Sequence, residues 1–76
     1  MEFDSLEHLQ NVTLETSTEH KRVLMHVVVT GKDRISRRRV FALSGQQLLE
    51  LALRAAVLAD EHPEIREWPN KPPNLQ

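Results

Sequence analysis

Apolar and polar residues alternate with a period of two near the start of the chain. Val12 and Leu14 fall on one side, and Asn11, Thr13 and Glu15 on the other. This spacing predicts an outer, half-exposed strand over residues 8–16. After the polar connector Ser17-Thr18-Glu19-His20-Lys21, both alternating rows of Val23 to Thr30 are apolar, the pattern of a central strand covered on both faces. Gly31-Lys32-Asp33 supplies turn chemistry, with glycine tolerant of positive φ and aspartate able to bond its own backbone, and a third extended segment follows from Arg34 to Leu43,. The simplest arrangement is an antiparallel three-stranded meander.

Ser44-Gly45-Gln46-Gln47 has the form of a capping box, with Leu43 and Leu48 placed as a hydrophobic staple,. A helix is predicted from Gln46 to Glu61, because Pro63 lacks a backbone donor and disfavours helical geometry at His62,. One further turn is predicted over Glu64 to Trp68 with Pro63 at its first position, and Trp68 is expected to fold back onto the core. On a helical projection the apolar residues fill an arc of roughly 220°, where an ordinary surface helix needs little more than about 100°. Three covers suit that surplus: the N-terminal segment with Phe3, Leu6 and Leu9, Trp68, or a second helix in a homodimer. Leu49, Leu53 and Ala56 are the candidate dimer contacts.

The fold class expected is therefore α+β, a three-stranded antiparallel meander packed against one C-terminal α-helix in the order β-β-β-α, and dimeric. Residues 1–69 form the single domain, and residues 70–76, with Pro72-Pro73, a flexible tail. A chain of 76 residues leaves no room for a two-domain enzyme. Its single core supplies only about 3 to 5 kcal/mol. With no cysteine it has neither disulfides nor thiolate–metal sites, and self-association is the usual remaining source of stability.

Charge adds a direction. Residues 1–19 carry five acids and no base, whereas residues 20–39 carry seven bases against Asp33 alone, inside a chain of formal net charge −1. A local basic element on a near-neutral protein suits a targeted contact better than general attraction to polyanions. Arg37 and Arg39 share strand parity with Phe41 and Leu43, and two buried unpaired guanidinium groups would cost several kcal/mol. Either a bulge re-aims the strand, or the hairpin from Lys32 to Arg39 projects as an arm with both faces wet, and the second is the expectation. A plainer role for these arginines is to blunt an edge strand and pair with Glu15, Glu19 or Glu50.

The expected function is that of a small non-enzymatic regulatory or inhibitory protein. Its basic hairpin would dock on an acidic surface of a partner protein through Arg34, Arg37, Arg38 and Arg39, with Lys32 and Lys21 at the rim. Arginine suits such contacts because its planar fork pairs carboxylates bidentately. Small phage-encoded inhibitors such as anti-CRISPR proteins share this length and sheet-plus-helix architecture, a likeness of size and architecture only. The alternative is a sequence-tolerant nucleic-acid-binding module using the same hairpin, although the hairpin has no Tyr or Trp for base stacking,. His8, His20, His26 and His62 are too dispersed for a helical metal site,, and no Gly-rich phosphate loop is present. No metal, cofactor or catalytic residue is therefore assigned. An acidic N-terminus and the lack of a membrane-length apolar run lead to the expectation of a cytoplasmic protein,.

Overall fold

The structure, a computed structural model, describes residues 5–69. Phe3 and the tail 70–76 lie outside the described residues. The elements are β1 (His8–Ser17), β2 (Arg22–Thr30), β3 (Ser36–Leu43), α1 (Gly45–Glu61) and a short 3-10 helix (Pro63–Glu67). The strands form one antiparallel sheet in the order β1-β2-β3, with β2 central as its apolar rows require.

Register assigns each side chain to a face. On the apolar face, successive cross-strand rows are Leu14–Met25–Phe41, Val12–Val27–Arg39 and Leu9–Val29–Arg37. The opposite face is polar along β1, with Asn11, Thr13 and Glu15. Sequence parity alone would put Leu9 on that polar face. The register skips one residue between Leu9 and Asn11, and this bulge at Gln10 turns Leu9 back to join Val12 and Leu14.

The capping box forms as predicted. Gln47 N donates to Ser44 Oγ at 3.1 Å, and Ser44 N donates to Gln47 Oε1 at 3.0 Å. This satisfies donors that the first helical turn leaves open, and α1 starts at Gly45, one residue earlier than expected. At the other end the His62 N–H donates to Leu58 O at 2.9 Å, and Pro63 opens the 3-10 turn. Trp68 does not fold back onto the core: it is 61% exposed. Its extended backbone (φ −69°, ψ 145°) ends the turn and leaves Ile65 and Ala59 as the half-buried residues there.

Among the described residues the helix meets the sheet mainly at β2 and β3. Gln47, Glu50, Leu51 and Arg54 line a shallow groove with Met25, Phe41 and Leu43. No residue of α1 is buried. Among the described residues the buried positions are Val27, Thr30 and Gly31. Most of the apolar sheet face, and both flanks of the helix, are open.

A cationic sheet end as candidate functional site

The loop joining β2 to β3 is a tight turn whose Arg34 N–H donates to Gly31 O at 3.0 Å. Positive φ was anticipated at Gly31, but it falls on Arg34 (φ 61°), and no glycine takes it. Asp33 sets the turn, its Oδ1 accepting from Ile35 N at 3.1 Å, an aspartate-to-backbone bond of the kind that competes with regular structure.

The same carboxylate holds Arg37, with Nη2–Oδ2 at 2.5 Å and Nη1–Oδ1 at 3.3 Å. This is the two-pronged geometry a planar guanidinium favours. Arg37's hydrogen bonds, with help from Ile35 N–H, hold the Asp33 carboxyl down at about 2, against an ordinary 3.8. Asp33 in turn raises the pKa of Arg37. Arg39 reaches across the apolar face to Glu7, its Nη2 lying 3.1 Å and 3.3 Å from the two carboxylate oxygens. The parity problem posed by two inward arginines is thus solved by pairing at half exposure. No bulge interrupts β3, whose register with β2 is continuous.

The acids used differ from those expected. Glu15 is 2.6 Å from His26 Nε2, and Glu50 lies 3.6 Å from Arg54 on the helix. Glu7 and Asp33 were not foreseen as partners. For Asp33 a signal existed in its i,i+4 spacing to Arg37; Glu7 has no local signal, because 32 residues separate it from Arg39. The Glu15–His26 contact follows from the hairpin register: Glu15 pairs with Leu24, which makes His26 its diagonal neighbour on one face.

β1 flanks β2 along its whole length, from His8 opposite Thr30 to Ser17 opposite Arg22. Only the loop of residues 31–35 projects, and Arg37, Arg38 and Arg39 lie in the edge strand β3 rather than on a protruding arm. Lys32 and Arg34 sit at the tip, and Arg38 points to the face opposite Arg37 and Arg39, alongside Asn11, Thr13 and His26 in a polar groove. The side chains of Lys32, Arg34 and Arg38 make no hydrogen bond or ion pair among the described residues. Lys21 is not brought to this site. It occupies the β1–β2 turn (φ 55°) at the far end of β2, about 26 Å away at the usual strand rise. Leu49 and Leu53 stand 71% and 66% exposed on one flank of α1, with Ala56 exposed beside them.

Among the described residues, no cluster of three or more His, Asp or Glu has the placement to hold a metal ion, and no helix is long and apolar enough to cross a membrane. No family model, curated protein or solved structure matches the chain.

Proposed function

We propose that the protein is a regulator or inhibitor that acts by binding, without turnover, and that it docks the sheet end carrying Lys32, Arg34 and Arg38 on an acidic surface of a partner protein. The observation that carries this reading is the division of labour among the cations. Arg37 and Arg39 are neutralised by Asp33 and Glu7 and brace the platform, while Lys32, Arg34 and Arg38 have no counter-ion among the described residues. Arg34 is also held in a backbone conformation that costs a non-glycine residue about 1 kcal/mol or more. Such outliers concentrate where a side chain has to be aimed.

The carboxylates interleaved with the cations favour a protein over a nucleic acid. Asp33 and Glu7 on one face, and Glu15 in the Arg38 groove on the other, would oppose a phosphate chain, whereas a protein surface of mixed charge accommodates them,. Capture from a lysate of the source cell, with nuclease treatment of half the sample, tests the reading. The bound species should survive nuclease and be lost with the double variant Arg34→Ala/Arg38→Ala, while Arg54→Ala, on the helix, should leave capture intact. A nuclease-sensitive species whose affinity falls about 40-fold between 50 and 200 mM salt, the loss expected for three phosphate contacts, would establish nucleic-acid binding instead.

A further inference from the structure

We infer that the chain is one half of an obligate homodimer in which α1 of each copy lies on the open apolar sheet face of the other, its Leu49–Leu53 flank over Leu9, Val12 and Leu14. The occupant is a second copy of this chain, and the area argument leads to it. The accessible surface is 6669 Å², whereas a folded monomer of this mass exposes about 4,800 Å². The radius of gyration is 14.6 Å, against about 11.4 Å for a compact domain of this length. Two chains together thus expose roughly 3,800 Å² beyond a compact pair, within the range of about 2,000 to 5,000 Å² that obligate homodimers bury.

Part of that surplus lies on two apolar surfaces of the described residues. Leu9, Val12 and Leu14 are 54%, 46% and 54% exposed on the β1 half of the apolar face, the half α1 of the same chain leaves open; Leu49 and Leu53 are still more exposed. Most of a helix's stability in a protein comes from packing of its apolar face, and this flank of α1 has none. The two open surfaces match in size, since a 17-residue helix is about 25 Å long and a ten-residue strand about 30 Å. Because one chain supplies both the helix flank and the sheet face, a two-fold exchange covers both at once in each copy, as closed symmetry requires. Arg37, paired with Asp33, stays at the β3 side of the same face, whereas the Arg39–Glu7 ion pair crosses it.

The native chain lacks cysteine, so single-cysteine variants report the contact cleanly. Leu53→Cys and Leu14→Cys, purified separately, mixed and oxidised, should yield a cross-linked species of one chain each, while the unmodified chain sediments at twice 8.8 kDa. Leu53→Glu and Val12→Glu should each abolish that species and leave the chain unfolded. A folded monomer at about 10 µM would overturn the inference, since an obligate dimer has no stable folded monomer at such concentrations. So would cross-links formed only between two Leu53→Cys chains, which indicate helix-on-helix contact, or a chain that folds only when a different protein is added. Capture of a partner through Arg34 and Arg38 is a separate readout, and either proposal can fail without the other.

Discussion

Asp33 holds the cationic end together, because one carboxylate both closes the turn through Ile35 N and grips the Arg37 guanidinium. Its carboxyl is held below the ordinary value by bonds that exist only in the folded chain. The contribution to stability is therefore complete above 3.8 and disappears as pH falls through about 2,. Carboxyl NMR should show Asp33 titrating near 2 in the native chain and close to its ordinary value in Arg37→Ala; an unshifted native titration would remove the pairing. Arg34 gives a second test at this scale. Glycine adopts its positive φ without side-chain strain, although it loses more backbone entropy on folding. Arg34→Gly should therefore leave stability unchanged or raise it by up to about 1 kcal/mol, while weakening partner capture. Denaturant unfolding beside capture separates the two effects, and a variant both destabilised and fully competent would show that Arg34 serves the turn alone.

Among the elements, the helix start was the most legible feature in the sequence, because every group of the capping box lies within four residues, from Ser44 to Gln47. Ser44→Ala removes the acceptor for Gln47 N and should cost about 1 kcal/mol, read as a shift in the urea midpoint with unchanged slope. A change below about 0.3 kcal/mol would mean that the start of α1 is held by other contacts. The strand pattern was legible for the same reason, since alternation from Val12 to Glu15 and the doubly apolar run from Val23 each describe one element. Less legible were features that depend on two segments meeting. The bulge at Gln10 exists because Leu9 gains the apolar face only by skipping a residue against β2. Glu7 finds Arg39 only because the sheet folds the chain back across 32 positions. The positive φ at Arg34 rather than Gly31 follows from a turn closed by the Asp33 side chain, a choice between neighbours that composition does not make. Trp68 is expected to fold back onto the core after one more turn, but the 3-10 turn begun by Pro63 leaves it exposed and seats Ile65 instead.

For the molecule as a whole, with Val27 the only buried apolar side chain among the described residues, folding and association are expected to be a single event. In the proposed dimer neither sheet nor helix has enough cover of its own to survive separation, and the alternative to the dimer is two unfolded chains. The far-UV signal of α1 and the fluorescence of Trp68, the one tryptophan in the chain, should therefore report coincident transitions. Their common midpoint should rise with concentration. Two chains of 76 residues have an unfolding enthalpy of roughly 100 kcal/mol at the typical value per residue. A tenfold increase in protein adds about 1.4 kcal/mol of association free energy, which at that enthalpy raises the midpoint by about 4 to 5 °C. A midpoint independent of concentration would require the monomer to be stable with its apolar sheet face and helix flanks in water, which chains of this size with neither disulfide nor metal rarely achieve. Separate transitions for helix and tryptophan would instead make α1 an appendage that melts on its own, and the sheet would then need some other cover for Leu9, Val12 and Leu14.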